Sequence, residues 1–131
     1  VTPVLSSTAI TEEQRHILYE GATETPFTSE LLQEKRPGTY VTADCGEPVF
    51  RSEQKFDSGT GWPSFWAPMS SSSLVLVKDR TLFIERTEVR SSCGEHLGHV
   101  FEDGPEPTGL RYCINGKALR FIADEIATTT R

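Results

Sequence analysis

From Gly38 onward the chain alternates short apolar runs with clusters of Gly, Pro, Asn, Asp and Ser. Runs of that length, rich in Val, Ile, Tyr and Phe, are the grammar of strands. Tyr40–Thr42 and Pro48–Phe50 bracket a turn at Asp44-Cys45-Gly46. Leu74–Val77 and Thr81–Val89 flank Lys78-Asp79-Arg80 and predict an antiparallel hairpin. Gly98–Phe101, Leu110–Ile114 and Ala118–Ile122 predict three further strands. The last two are joined across Asn115-Gly116, and Asn-Gly is the strongest two-residue hairpin signal. Residues 103–109, with two prolines and two glycines, predict a constrained loop.

Ahead of Gly38 the pattern is different. Residues 1–10 show no periodicity and read as an arm. Thr11-Glu12-Glu13-Gln14 is a capping box, Ile17 and Leu18 supply a short apolar face, and Gly21 is a C-terminal stop, so the pattern predicts a helix over 12–20. A second short helix is expected from Ser29 to Lys35, ended by Pro37-Gly38. There is no internal repeat, and Ser70–Ser73 is the one low-complexity stretch. The expectation is a mainly β domain of antiparallel sheets with short N-terminal helices.

Composition narrows the functions. The 131 residues fit a single domain, 1–131. Net charge is −6 with no clustered Lys/Arg stripe, which argues against nucleic acid and anionic membrane as partners. No apolar run approaches the roughly 18 residues of a membrane span. Three cysteines are too few, and odd in number, for a disulfide framework, so a reducing compartment such as the cytoplasm is expected. The chain starts at Val1 without an initiator Met, which leaves room for a removed leader or an upstream fused domain.

Three stretches carry candidate chemistry. Gly59-Thr60-Gly61-Trp62-Pro63-Ser64-Phe65-Trp66 holds large aromatics in a backbone fixed by Pro63. It reads either as a plug for one end of the β core or as an aromatic wall for a ligand. His96 and His99 lie three apart, followed by Asp103. With Cys93 or Cys45 they are candidate zinc ligands; alternatively a histidine serves as proton donor, with Asp103 orienting or charging one imidazole. Cys113 lies in a strand-like run where residues 111, 113 and 115 share one face. Arg111 there favours the thiolate and Asn115 can hydrogen-bond it, so Cys113 reads as a nucleophile in preference to an inert buried thiol.

Taken together, Phe56–Phe65, His96–Pro105 and Gly109–Asn115, with Gly21–Thr28 and Gly38–Val41, resemble the B-type methionine sulfoxide reductases, which act on the R epimer. The resemblance covers roughly residues 10–123. It implies a fold of twisted antiparallel sheets of the Mss4-like or β-tent type with short N-terminal helices. It also implies a peptide-methionine (R)-S-oxide reductase active in oxidative stress response and protein repair. In the mechanism the resemblance implies, the Cys113 thiolate attacks the sulfoxide sulfur of free or protein-bound substrate while His99 protonates the leaving oxygen. Methionine departs and Cys113 is left as a sulfenic acid. By the same resemblance His96, Asp103, Arg111 and Asn115 surround that centre, Trp62, Phe65 and Phe101 contact the substrate, and thioredoxin or another thiol resets the enzyme.

The chain departs from the family pattern twice. Many members bind a structural zinc through two Cys-x-x-Cys pairs, and the corresponding positions here are Thr42 and Cys45, and Arg90 and Cys93. Two thiolates do not fill a tetrahedral site, so no metal and no cofactor is expected. Cys45 and Cys93 are then expected close together, reduced or disulfide-bonded. The second departure is the resolving cysteine, which elsewhere stands at the position of Thr60 or near Thr28. Either Cys45 or Cys93 resolves the sulfenic acid, or an external thiol attacks it directly. Two other classes compete: a non-catalytic β-domain that binds oxidised methionine or a protein partner, and a thiol hydrolase. The hydrolase lacks any sign of an oxyanion hole behind Cys113.

Overall fold

The structure, a computed structural model, describes residues 10–70, 74–80 and 85–124. Helix α1, Glu12–Glu20, opens on the capping box its sequence predicts. Thr11 Oγ1 accepts from the Gln14 amide at 3.0 Å, and Gln14 Oε1 accepts from the Thr11 amide at 2.9 Å. It closes at Gly21, whose φ of +75° is the left-handed cap that glycine permits without strain. Ile17 and Leu18 bury the inner face.

The second expected helix is a correction. Glu30–Gln33 is a single 3₁₀ turn capped by Ser29. Its stabilising bonds are i to i+3, Leu32 to Ser29 and Glu34 to Leu31, and Pro37 disfavours helical backbone in the residue before it.

Nine strands follow among the described residues: β1 Gly38–Thr42, β2 Pro48–Arg51, β3 Lys55–Phe56, β4 Ser64–Phe65, β5 Leu74–Asp79, β6 Arg86–Ser91, β7 His96–Phe101, β8 Arg111–Ile114 and β9 Leu119–Ala123. They form a three-stranded sheet, β2-β1-β9, and a six-stranded sheet, β3-β4-β8-β7-β6-β5. Each of these pairings is antiparallel. The mainly β architecture with a short N-terminal helix is the one expected. The β5–β6 hairpin pairs Leu74 with Ser91 through Asp79 with Arg86. The Thr81–Ile84 part of that expected strand, the arm at 1–9 and Ser71–Ser73 lie outside the described residues.

The Asn115-Gly116 hairpin is also corrected. β8 pairs with β4 and β7, whereas β9 crosses to β1 in the other sheet. A type I′ turn needs positive φ at both central residues, and Asn115 has φ −67°. Tertiary partners override the local preference. Asn115 donates from its backbone and its side-chain amide to the Leu97 carbonyl, and the Gly116 and Lys117 amides both donate to the Glu24 carboxylate at 2.9 Å.

The core lies between the sheets and under α1. Phe50 stacks on Phe65 with centroids 4.2 Å apart, and Tyr40 meets Phe65 edge-on at 5.1 Å. Tyr40 and Phe50 belong to the small sheet and Phe65 to the large one, so these contacts join the two.

Candidate active site

Strand β8 alternates as its sequence does. Tyr112 and Ile114 are buried in the core, while Arg111 and Cys113 face a pocket of about 290 Å³. Thr60, Trp62, His99, Phe101 and Asn115 also line it. Cys113 is paired in register with Ser64 on one side and His99 on the other, and Glu88 continues the row beyond His99. β7 and β8 approach closely because residue 98 is glycine: a Cβ there would collide with the Cys113 carbonyl.

A regular strand would turn residues 96 and 99 to opposite faces. They share a face because the register slips. Val89 pairs with Gly98 but Arg90 pairs with His96, which leaves Leu97 as the extra residue of a bulge. Leu97 points into the core, and the His96 and His99 rings stand 5.6 Å apart.

Each imidazole has its own carboxylate, and neither is Asp103. His99 Nε2 lies 2.7 Å from Asp79 Oδ2, and the Arg86 guanidinium holds the same oxygen at 3.3 Å. His96 Nδ1 lies 2.6 Å from Glu88 Oε2. Burial pushes the His96 pKa down against the upward pull of Glu88. Burial pushes the Glu88 carboxyl up, but Arg90 and His96 hold it below its ordinary value. The pair is therefore a neutral imidazole donating to a carboxylate. Asp103 forms a bidentate pair with Arg111, at 2.9 and 3.1 Å, and Arg111 lies over the Phe101 ring at 4.5 Å. The expectation that Asp103 orients an imidazole is thus corrected.

Burial pushes the Cys113 thiol up, opposed by the Thr60 hydroxyl and the Arg111 guanidinium. Arg111 acts in the expected direction and is outweighed. Thr60 Oγ1 is 4.0 Å from the sulfur and belongs to a hydroxyl chain through Ser58 to Ser64.

The aromatic loop divides its labour. The Trp62 indole faces the pocket, with Nε1 donating to the Glu24 carbonyl at 3.1 Å. Phe65 is no substrate contact, because it is fully buried in the core and pairs across the sheet with Tyr112, on the face opposite Cys113. Asn115 lies past the end of β8, and its amide already bonds backbone at both ends: Nδ2 to Leu97 and Oδ1 from the Glu24 amide. Glu24, 2 % exposed, ties this corner together, and burial pushes its carboxyl up against two backbone amides.

Cys45 and Cys93 form a disulfide, Cα to Cα 6.6 Å, and neither lines the Cys113 pocket. Beside them Glu95 is buried, accepting from the Asp44 and Cys45 amides and the Ser91 hydroxyl. These three residues could offer ligand atoms within 4.8 Å of one another. The donor chemistry does not fit a structural zinc. Bonded sulfurs are not thiolates, Thr42 accepts from the Glu47 amide, and Arg90 pairs with Glu88.

Of His96 and His99 only His99 lines the Cys113 pocket, His96 lying behind it and bordering a separate cavity. A thiol, an imidazole with its carboxylate and an aromatic wall define a thiol-based redox site, and the SelR domain matches residues 10–123, so the chain belongs to that family. Its relatives include the peptide methionine sulfoxide reductases MsrB of Methanosarcina mazei and Hahella chejuensis. The first is 52% identical over 117 residues, covering 88% of this chain and 84% of the relative. The second is 51% identical over 113 residues, covering 86% and 81%. The MsrB of Methanosarcina barkeri is 51% identical over 117 residues, 88% of this chain and 82% of its own. The protein is accordingly a thiol-based oxidoreductase of the MsrB type, a class concerned with oxidative stress and protein repair. Among the described residues no helix is long and apolar enough to cross a membrane.

Proposed function

We propose that this pocket reduces the R epimer of methionine sulfoxide to methionine, in oxidised proteins and in the free amino acid. The observation that carries the reading is the in-register pairing of Cys113 with His99 inside a pocket walled by Trp62. The Cys113 thiol passes its proton to His99, the thiolate attacks the sulfoxide sulfur, and His99 hands the proton on to the sulfoxide oxygen. The sulfide leaves as methionine and the oxygen stays on Cys113 as sulfenic acid, so the sulfoxide is reduced by two electrons and the thiol oxidised by two. Asp79 fixes the His99 ring through Nε2, and Glu88 holds His96 behind it. Arg111, itself held by Asp103 and Phe101, favours the thiolate. Asn115 sets the backbone next to Cys113. Epimer choice follows from shape: the methyl group lies against Trp62 while the oxygen faces the imidazole.

The enzyme works without zinc, the Cys45–Cys93 bridge standing where the metal-binding pairs would be. Because both of those sulfurs are bonded, we assign the resolving step to an external thiol. A thiol reductant such as thioredoxin attacks the Cys113 sulfenic acid, releasing water and forming a mixed disulfide. A second reductant thiol then restores Cys113. The test is a racemic methionine sulfoxide peptide with dithiothreitol. Consumption of the R epimer alone, lost in Cys113→Ser, is expected; a Cys113→Ser protein that still reduces sulfoxide would overturn the mechanism.

A further inference from the structure

Trp62 lines two cavities. One is the Cys113 pocket; the other is a groove of about 280 Å³ that also includes Phe27, Leu32, Lys35, Lys55 and Phe56. Nothing in the chemistry of the thiol uses this groove, and three features point to a ligand in it.

Phe27 is held in an unusual way. Among the described residues it is the one non-glycine with positive φ, +66°, and it is 70 % exposed. Its amide donates to the Gly61 carbonyl at 2.7 Å, and a Cβ on Gly61 would collide with its ring. A large apolar side chain is thus fixed at the groove's lip in a backbone region that costs about 1–3 kcal/mol. Such strain concentrates at binding sites.

The groove also gathers basic side chains that take part in no ion pair. The chain carries −6 overall, and eight of its described basic side chains, among them Arg36, Arg51 and Arg111, lie within ion-pair distance of a carboxylate. Among the described residues Lys35, Lys55, Lys117 and Arg120 are in no such pair, and the first two line this groove. Glu34 and Asp57 line the groove as well, but Glu34 is held by Arg36 at 2.8 and 2.9 Å, and Asp57 accepts from the Gly59 amide. Lys55 is half-buried, donates to the Leu32 carbonyl at 3.3 Å, and its pKa is lowered by burial and then by the Lys35 charge, against the smaller upward pull of Asp57 and Glu34. Two ammonium groups outside any ion pair, beside one carboxylate already bound to an arginine and another bound to a backbone amide, at an aromatic-rimmed groove, complement a further carboxylate.

The groove is also continuous with the reaction site, since one indole borders both. We propose that it is the subsite for the polypeptide carrying the oxidised methionine, and that it favours substrates with Asp or Glu about two to four residues from the sulfoxide. That spacing is the reach of an extended chain, at about 3.3 Å per residue, past one indole ring. The proposal rests on the reading of Cys113 given above.

The test uses the full chain and peptides of one length, each with a single methionine (R)-sulfoxide flanked on either side by Glu, Gln or Lys, alongside N-acetylmethionine (R)-sulfoxide. The expected kcat/KM order is Glu above Gln above Lys, with about a fivefold step carried in KM and shrinking as salt is raised. Lys35→Glu, at an exposed position, inverts the order while N-acetylmethionine sulfoxide, too short to enter the groove, is turned over as before. Lys55→Gln flattens it. A flat order in the native protein, or one that Lys35→Glu leaves in place, overturns the subsite while the Cys113 mechanism stands. A flat peptide order together with a raised KM for a protein thiol reductant in Lys35→Glu assigns the groove to the reductant instead, and likewise overturns it. Failure to reduce N-acetylmethionine sulfoxide and all of the peptides removes the Cys113 reading and the subsite with it.

Discussion

Asp79 Oδ2 stands 2.7 Å from Nε2 of His99, across the β5–β6 hairpin and twenty positions away in sequence. That contact decides which ring nitrogen is committed: Nε2–H donates to the carboxylate, which leaves Nδ1 as the atom able to serve the pocket. Asp79→Asn keeps the shape but lets the amide present either a donor or an acceptor, so the ring loses its fixed proton. The expected result is a fall of about a hundredfold in single-turnover sulfoxide reduction, the lower end of what a positioned acid supplies. Iodoacetamide alkylation of Cys113 needs no acid and should hold its rate. Equal losses in both assays would mean that the substitution had disturbed the strand and not the proton.

The thiol itself makes a second prediction. Burial raises the Cys113 pKa more than Thr60 and Arg111 lower it. An acid with a raised pKa is protonated over a wider range, so at neutral pH Cys113 is largely thiol and its alkylation rate climbs with pH. The midpoint should fall above the ordinary thiol value of about 8.5. Arg111→Met removes an opposing charge and should move it higher still. With the Cys45–Cys93 bridge intact Cys113 is the single free thiol, so the alkylation curve has one component. A midpoint below that of a free cysteine would show the guanidinium and hydroxyl outweighing burial.

The bridge carries the third. Cys45 follows β1 and Cys93 precedes β7, so the bond ties the small sheet to the large one across 48 positions. Closing a loop of that length in the unfolded chain is worth about 4 kcal/mol by the entropy argument. Reduction, or the Cys45→Ser Cys93→Ser double variant, should lower the denaturant midpoint without abolishing reduction of sulfoxide by dithiothreitol, because neither sulfur lines the pocket. Both cysteines are exposed, so dithiothreitol should open the bridge in the native state. An inactive but folded double variant would give these cysteines a place in the chemistry.

The nucleophile's strand and the Trp62 loop are legible in the sequence because both are local. Arg111, Tyr112, Cys113 and Ile114 alternate as a strand must, and glycines beside Trp62-Pro63 suit no regular element. Phe65 is harder to place, because a two-residue strand gives no phase: its pairing with Tyr112, not its neighbours in sequence, sends it into the core. The shared face of His96 and His99 is hidden for a related reason, since a bulge at Leu97 is set by the β6 register. Asp79, Glu88 and Glu24 are three of nineteen acidic residues. Only the hairpin and the 24–27 segment, folded against the sheet, bring them to the site. Asn115-Gly116 makes no hairpin turn because Glu24 and Leu97 offer its backbone better partners than a hairpin would.

The fate of the sulfenic acid can be decided at Thr60. In the bridged protein Cys113 is the one thiol, so a single turnover without reductant should remove it and leave a sulfenic acid that dimedone labels. Thr60 Oγ1 is 4.0 Å from the Cys113 sulfur, on a loop whose backbone is tied to Pro26 and Phe27 through Gly61. Thr60→Cys therefore sets a second sulfur one side-chain rotation from a bond of about 2.05 Å. After one turnover this variant should lose two thiols, refuse dimedone and show, by mass spectrometry, a peptide pair disulfide-linked between position 60 and Cys113, while the native chain remains labelled. If the bridge is first reduced, the native chain regains Cys45 and Cys93 as thiols. Persistent labelling there means that they lie too far from the pocket to resolve Cys113; loss of the label together with two thiols would show that the small sheet's cysteine or its partner swings in to do so.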